Sequence, residues 1–194
     1  MKVIGITGGI GSGKSTISDI LENNFNAFII STDAIAHDLM GKGMVSYKKI
    51  VDYFGEEILD DNKEINRAKL AECVYGQKDR LLKLNSFTHP YVMDYVKDLI
   101  KIKVKEYPLI VIETALPVEA KLNEICDEIW YVHASNEVRR KRLKETRNYS
   151  DEKIDTIFLN QMKEDEYRKL CTYEIKNEGS LKNIFHKIQL YVEK

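Results

Sequence analysis

The chain has 194 residues, of which 43% are hydrophobic and 31% are charged. This composition is typical of an ordinary globular protein, and this length suits one domain with small insertions around a sizeable core. The 30 Lys and Arg residues nearly cancel the 31 Asp and Glu residues, which leaves a net charge of −1. This balance gives no general electrostatic reason to bind nucleic acid or an anionic membrane.

The cysteines exclude two further classes of protein. Cys73, Cys126 and Cys171 are odd in number and far apart, and no C-x-x-C spacing occurs. They therefore predict neither a disulfide framework nor a zinc site, and we expect buried free thiols in a reducing compartment. No apolar run approaches membrane-spanning length, and the first residues do not resemble a signal peptide. The sequence thus predicts a soluble cytoplasmic protein.

The first element carries the strongest motif. Lys2 to Ile6 is mostly apolar and β-branched, which predicts a strand, and Ser15 to Leu21 has helical apolar spacing. Between them, Gly8 to Ser15 fits G-x-x-x-x-G-K-[ST], the phosphate-binding loop of nucleoside triphosphate enzymes. The alternative is a glycine-rich turn that binds nothing, but the Lys-Ser ending and the preceding strand favour phosphate binding.

The residue types at this spacing explain the chemistry. Glycines allow the backbone to turn so that several N–H groups face one phosphate, and the helix directs its positive end to the same place. The Lys14 side chain can reach the β- and γ-phosphates, and the Ser15 hydroxyl can ligate Mg²⁺. The sequence therefore predicts a bound nucleoside triphosphate and Mg²⁺, and the family resemblance described below implies that the nucleotide is ATP.

The second predicted strand, Ala27 to Ile30, is a short apolar run that suits a parallel strand buried on both faces. Asp33 follows just past its carboxyl end, where open α/β sheets place ligand groups. One interpretation is catalytic. The other is that Ser31, Thr32 or Asp33 caps a helix over residues 34–40.

A long helical stretch follows. Apolar spacing predicts a helix over Tyr47 to Phe54 and another from Asn66 through Val74. A third helix begins near Asp79 and is expected to break at His89-Pro90, with Pro90 opening a new helix to about Lys105. A minimal strand–helix–strand crossover does not need so much chain, so we interpret residues of about 45–105 as a helical insertion that binds a second substrate.

Three more strands are predicted at Leu109 to Ile112, Ile129 to Val132 and Tyr173 to Lys176. The first of these ends in Glu113, whose carboxylate either holds Mg²⁺ through water or is simply a polar strand end. Glu119 competes for the same role.

Residues 136–147 contain a run of Arg and Lys on a predicted helix. Arg139 and Arg142 would share one face, and Arg140 and Lys144 another. A solvated charged face and a nucleic-acid patch are alternatives. We favour a mobile lid over about 136–165 that brings arginine onto the transferring phosphoryl group. The sequence also predicts a polar helix over Ser150 to Leu170 and a last helix capped by Ser180.

Taken in order, these motifs resemble the dephospho-CoA kinase family, the last enzyme of coenzyme A synthesis. The resemblance is carried by the T-G-G-I-G-S-G-K-S wording of the loop, the aspartate after the second strand, and an H-P pair in the helical insertion. Lid residues and an N-x-G near the end complete it, and the positions are Thr7 to Ser15, Asp33, His89-Pro90, Arg142, Arg147, Gln161, Asn177 and Gly179. The chain departs from the family at Ser31, at Asn66 (before Arg67) and at the displaced Pro117.

The resemblance implies a single three-layer α/β/α P-loop NTPase domain over residues 1–194, with a five-stranded parallel sheet, a helical insertion and a lid. It implies transfer of the ATP γ-phosphoryl group to the ribose 3′-hydroxyl of dephospho-CoA. The catalytic residues would be Asp33 as base, Lys14 and Arg142. Asp33, Arg67 and His89 would bind the acceptor, and Arg147 and Asn177 the nucleotide. The phosphates would be bound by Gly9, Ile10, Gly11, Ser12, Gly13, Lys14, Ser15 and Thr16.

The alternative activity is a kinase of another small molecule or of a nucleoside monophosphate, and only the acceptor pocket separates the two. We expect dephospho-CoA and ATP as partners, and neither nucleic acid nor membrane. The sequence leaves open the oligomeric state, the preferred nucleotide donor, and the choice between Glu113 and Glu119.

Overall fold

A computed structural model describes residues 1–118 and 120–193. Within these ranges five strands form one sheet in the order β2-β3-β1-β4-β5, with β1 over Lys2–Thr7 at its centre. Its neighbours are β3 (Leu109–Glu113) and β4 (Glu128–His133), and both pair with it in parallel. The outer strands are β2 (Ala27–Ser31) and β5 (Tyr173–Lys176), and β5 is parallel to β4. The predicted α/β sheet is confirmed.

Helices cover both faces of the sheet. Because side chains alternate across a strand, Ile4 and Ile6 of β1 lie on one face, where they share a buried cluster with Ile17 of α1 (Lys14–Phe25) and Ile184 of α10 (Leu181–Val192). On the other face, Gly5 packs so closely on α6 (Leu122–Ile125) that an added Cβ would lie 2.8 Å from Leu122 Cδ1. Strand residue Tyr131 stacks there on Tyr167 of α9 (Glu164–Leu170), with ring centroids 4.7 Å apart.

The chain divides into two compact units. The first unit contains residues 1–30 and 102–194, and the second contains Ser31–Lys101. The second unit has its own buried cluster around Ile50, Phe54 and Leu70. Its helices are α2 (Thr32–Leu39), α3 (Val45–Phe54), a short 3-10 helix (Glu56–Ile58), α4 (Arg67–Val74) and α5 (Lys78–Lys103), the last of which continues into the first unit.

The prediction of two helices separated at Pro90 is wrong, because α5 runs without interruption through Pro90. Proline removes one backbone donor from the turn before it. In that turn the Phe87 carbonyl accepts a hydrogen bond from the buried Ser46 hydroxyl of α3, at 2.9 Å. The Thr88 hydroxyl donates to the Leu84 and Asn85 carbonyls, each at 3.3 Å. Side chains therefore add hydrogen bonds to the carbonyls on either side of Ser86, the residue whose carbonyl loses its helical donor at Pro90.

The single polar helix predicted over Ser150 to Leu170 is also wrong. It is two helices, α8 (Asp151–Leu159) and α9, which follow α7 (Asn136–Arg147). The chain breaks at Asn160, and α9 begins anew where the Lys163 N–H donates to the Glu166 carboxylate at 2.7 Å. This new cap satisfies a donor that a helix N-terminus otherwise leaves unpaired.

The three cysteines are free, as predicted, but each is only partly buried. Burial raises the pKa of Cys126 and of Cys171 to about 12, which keeps both thiols protonated. Across the described residues, no helix combines the length and the apolar character that crossing a bilayer requires.

Candidate active site

The loop between β1 and α1 has the backbone geometry of a phosphate cradle. Gly11 and Gly13 have φ of 78° and 88°, a left-handed conformation that glycine adopts without strain. Gly13 also leaves no space for a side chain, because an added Cβ would lie 2.1 Å from Asn177 Nδ2. Gly13 is the N-cap of α1 and no side chain caps that end, so the helix offers its first N–H groups to an anion.

Lys14 lies back over this loop. Its ammonium group donates to the Gly8 carbonyl at 2.9 Å and to the Gly9 carbonyl at 3.5 Å. A cation held at the mouth of a ring of backbone N–H groups is the arrangement that binds the β- and γ-phosphates of a nucleotide. The structure thus places the Lys14 ammonium beside the loop, and its role on the phosphates stays a prediction.

The outer side of the loop is held by Arg142 and Asn177. The Arg142 guanidinium donates to the Ser12 carbonyl at 3.1 Å and to the Gly11 carbonyl at 3.3 Å. The buried Asn177 amide donates to the Ser12 carbonyl at 2.8 Å and to the Gly13 carbonyl at 3.4 Å. Both side chains thus contact the main chain of the loop. The roles that the resemblance implies, Arg142 in catalysis and Asn177 in nucleotide binding, stay predictions.

Glu113 at the end of β3 lies beside the loop helix. It accepts a hydrogen bond from the Ser18 hydroxyl at 2.7 Å and one from the Ser15 hydroxyl at 3.4 Å. A serine hydroxyl beside a carboxylate supplies the hard oxygen atoms that Mg²⁺ prefers. These residues therefore fit the ion. The described ranges contain no group of three or more His, Cys, Asp or Glu side chains that could hold a metal ion. Glu119, the competing candidate, lies outside the described residues.

Arg139 is a functional candidate that sequence reasoning did not assign. Its Nε donates to the Ile10 carbonyl of the loop at 2.9 Å, and Nη2 donates to the Gln161 side chain. The signal that could have found it is its position on the same face of α7 as Arg142, three residues away.

The other cations of α7 are arranged differently. Arg140 pairs with Asp151 and Asp155 of α8, and Lys144 pairs with Asp151 at 2.7 Å, so this face is a charged surface that joins two helices. Arg147, the predicted second lid arginine, is exposed in the last turn of α7.

In the second unit, Asp33 lies exposed in the first turn of α2. The Ser31 hydroxyl caps this helix by accepting a hydrogen bond from the Ala34 N–H at 3.3 Å. Ser31, a position where the sequence departs from the family pattern, is therefore the residue that caps α2. The Asp33 carboxylate is not needed as the cap and is available for another role. Asn66 likewise caps α4 through the N–H groups of Ala68 and Lys69, so it performs at that helix what an aspartate would.

The second unit also contains a cavity of about 870 Å³. Most of its lining is apolar, and Arg67, Glu64, His37 and Asp38 supply polar groups at its walls. A mostly apolar cavity with a few polar groups is the usual form of a small-molecule site. Arg67, predicted on the acceptor side, lines this cavity, whereas His89 is half-buried in α5 and is not part of the lining.

A strand, a glycine loop, a lysine and an uncapped helix on a parallel sheet define a P-loop protein that binds a nucleoside triphosphate. A sequence model described as dephospho-CoA kinase matches residues 2–183. The chain belongs to the dephospho-CoA kinase family, and this family membership makes it an ATP-dependent kinase.

Similar proteins agree over nearly the whole chain. The dephospho-CoA kinase of Carboxydothermus hydrogenoformans is 37% identical, and the match covers 100% of this chain and 94% of that protein. The dephospho-CoA kinase of Fusobacterium nucleatum is 35% identical over 98% of this chain and 97% of its own length. The crystal structure of TT1252 from Thermus thermophilus superposes with a TM-score of 0.82 at 27% identity, covering 99% of this chain and 96% of that one.

A more distant structure shares the fold alone. Shikimate kinase from Acinetobacter baumannii in complex with shikimate superposes with a TM-score of 0.61 at 13% identity, covering 100% of this chain and 93% of that one. The same P-loop architecture therefore serves different acceptors, and the acceptor must be argued from the site itself.

Proposed function

We propose that this kinase transfers the γ-phosphoryl group of ATP to the ribose 3′-hydroxyl of dephospho-CoA, which yields coenzyme A and ADP. The observation that carries the proposal is the phosphate loop with Lys14 folded over it, in a chain that matches the family over residues 2–183. The reaction forms one bond from the hydroxyl oxygen to phosphorus and breaks the bond between the γ-phosphorus and the oxygen that bridges to the β-phosphate.

Each residue of the loop has a role in this proposal. The N–H groups over residues 9–16 bind the phosphates, and the Lys14 ammonium offsets charge that develops on the β- and γ-oxygens. Ser15 and Glu113 would hold Mg²⁺, Glu113 directly or through water. When bound, the ion neutralises phosphate charge and helps to align the β- and γ-oxygens.

Asp33 is the proposed general base. Its carboxylate would accept the proton of the attacking hydroxyl as the new bond to phosphorus forms. Two local facts support the role: the side chain is exposed, and the capping that its position would otherwise invite is done by Ser31.

The proposed acceptor site is the cavity of the second unit. Its apolar walls suit the uncharged pantetheine arm of dephospho-CoA, and the Arg67 guanidinium suits the pyrophosphate of the same molecule. We accordingly retain residues of about 45–105 as the acceptor-binding insertion and residues of about 136–165 as the lid, in which Arg142 and Arg147 lie near the nucleotide phosphates.

The test is a coupled ADP-release assay with ATP and Mg²⁺ that compares dephospho-CoA with AMP, dTMP, shikimate and no acceptor. We expect release with dephospho-CoA alone, and NMR of the product should locate the new phosphate on the 3′-oxygen. If ADP is released as fast with AMP or shikimate as with dephospho-CoA, dephospho-CoA is not the specific acceptor, although the assignment to the P-loop kinases still holds.

A further inference from the structure

Arg139 makes an unusually complete set of contacts for an arginine in a run of surface cations. Its Nε donates to the Ile10 carbonyl at 2.9 Å, Nη1 to Asn136 Oδ1 at 3.1 Å, and Nη2 to the Gln161 side chain. The guanidinium also lies 4.2 Å from the ring centroid of Phe158, a stacking distance. Three segments therefore meet at one side chain: the phosphate loop, the first turn of α7, and the break between α8 and α9.

The contact with the loop is tight. A Cβ added at Gly9 would lie 2.4 Å from Arg139 Nη2 and 2.9 Å from Gln161 Oε1. The pair therefore rests directly on the backbone of the loop, and glycine at position 9 makes room for it. Desolvation lowers the pKa of Arg139, yet an arginine remains charged over the accessible pH range.

The hydrogen bond to Ile10 has a geometric consequence for phosphate binding. In a planar trans peptide, the carbonyl of one residue points away from the N–H of the next. A guanidinium that holds the Ile10 carbonyl on the outer side of the loop therefore directs the Gly11 N–H to the opposite, phosphate-facing side. Arg142 and Asn177 hold the Ser12 carbonyl, which orients the following N–H in the same way.

We propose that Arg139 is a positioning residue that fixes the phosphate loop in its binding conformation and couples it, through Gln161, to the segment between α8 and α9. The inference rests on the proposed function only in that the loop binds ATP. Arg139 acts through the loop backbone and does not touch the reacting atoms, so its loss weakens ATP binding more than it slows the phosphoryl transfer step.

The test uses three variants at two neighbouring positions: Arg139→Met, Arg139→Lys and Arg140→Met. Arg140 is the matched control, because it is an arginine on the same helix whose hydrogen bonds go to Asp151 and Asp155; it also lies 5.8 Å from the Phe158 ring centroid. The readouts are the Kd of a fluorescent ATP analogue with Mg²⁺ and no acceptor, the KM for ATP, kcat, and the melting temperature.

We expect Arg139→Met to weaken ATP binding about tenfold, the usual cost of losing a charge-assisted hydrogen bond. Its kcat at saturating ATP should stay within about threefold, since an interaction of the loop with bound ATP is lost rather than one made only in the transition state. Arg139→Lys should recover little, because an ammonium cannot reproduce the planar guanidinium fork. The control should bind ATP normally.

Two results would overturn the inference. One is an unchanged Kd in Arg139→Met. The other is a large loss of kcat with unchanged Kd, which would place the guanidinium on the transferring group. If Arg139→Met does not fold, Gln161→Ala tests the other half of the pair, and normal ATP affinity in that folded variant overturns the coupling. Because the Kd is measured without acceptor, failure of dephospho-CoA as a substrate would refute the proposed function and leave this result intact.

Discussion

The Arg142 guanidinium donates to the main-chain carbonyl of Asn177 at 2.7 Å, while the Asn177 side chain donates to the Ser12 carbonyl that Arg142 also contacts. The two residues are thus linked to each other and to the same loop carbonyl. Asn177 is 4% exposed, so its amide is a buried polar group whose hydrogen bonds cannot be replaced by water without cost.

We therefore expect Asn177→Ala to reduce both stability and ATP affinity. The loss leaves the Ser12 carbonyl with one donor fewer, and such a change costs about 1–3 kcal/mol in the free energy of unfolding. Urea denaturation with and without ATP measures both effects. A variant of wild-type stability that binds ATP normally would contradict the structural role assigned here, and an isosteric Asn177→Asp change should be worse, since a carboxylate cannot donate.

The base role of Asp33 predicts that Asp33→Asn folds normally but loses most of its turnover. Removal of a general base costs about 10²- to 10⁴-fold in rate. Steady-state kinetics with saturating ATP and dephospho-CoA measures the loss, and circular dichroism checks the fold. Asp52→Asn is the matched control, because it makes the same change at an exposed position of α3. Near-normal kcat in Asp33→Asn would remove Asp33 from the base role.

The position of Glu113 beside Ser15 predicts a metal-dependent defect. Glu113→Gln keeps the size of the side chain but removes its charge, so we expect the Mg²⁺ concentration for half-maximal activity to rise about tenfold at fixed ATP. Ser18→Ala is the comparison, because it removes a hydrogen-bond donor to Glu113 without removing a proposed ligand. An unchanged Mg²⁺ dependence in Glu113→Gln would show that the carboxylate is only a polar strand end.

A bulky side chain at the edge of the proposed acceptor cavity should obstruct binding of dephospho-CoA. Ala71 lines the cavity but is exposed, so Ala71→Phe places a ring there without disturbing the buried core. We expect the KM for dephospho-CoA to rise about tenfold, since shape complementarity to the acceptor is lost, with the KM for ATP unchanged. Ala68→Phe, on the same helix and outside the cavity lining, is the control. Equal effects of the two variants would exclude the cavity as the acceptor site.

The ion pairs around Arg168 predict a pH-dependent stability. Hydrogen bonding to Arg168 lowers the pKa of Glu174 below 4.5. Burial raises the pKa of Glu164, but hydrogen bonds from His133 and Arg168 outweigh it, so that its pKa is also lowered from 4.5. A carboxylate whose pKa is lower in the folded state contributes stability above its unfolded pKa, and this contribution is lost as the pH falls through the folded value.

Arg168→Met should therefore destabilise the protein at pH 7, and the difference from wild type should shrink as the pH falls below about 4.5. Chemical denaturation at a series of pH values measures the difference. Lys169→Met is the control, since Lys169 is the exposed neighbour on α9. A destabilisation of equal size at pH 7 and pH 3 would mean that lost packing, and not charge, causes the effect.

Local signals in the sequence were sufficient for the strands and the phosphate loop. The β5 strand was predicted with its observed bounds, and the loop follows directly from its glycines and Lys14. Coordinates were needed to show that Ser31 is the residue that caps α2, because several residues in one short stretch were chemically able to do so. The catalytic interpretation of Asp33 stays a prediction. The position of Glu113 was likewise open until β3 was placed beside β1.

Contacts between distant parts of the chain explain what the sequence did not reveal. Pro90 predicts a helix boundary, but α5 continues through it. In the turn before Pro90, the Phe87 carbonyl accepts a hydrogen bond from Ser46, which lies 41 residues earlier in the chain. In the sequence, Arg139 is one of several cations in a run of Arg and Lys. Its proposed role depends on contacts with Gln161, 22 residues later, and with the Ile10 carbonyl of the loop. The spacing of residues in the sequence predicts which of them share one face of a helix, but it does not predict which distant residues contact that face.

The link between Ser12 and Asn177 spans 165 residues of sequence. During synthesis, the loop sequence leaves the ribosome long before the residue that braces it. The nascent chain therefore carries a recognisable nucleotide motif without the restraints that orient its N–H groups, and these arrive only when β5 joins the edge of the sheet. Nucleotide affinity should accordingly be acquired only after Asn177 has emerged, and not when synthesis of the loop itself is complete.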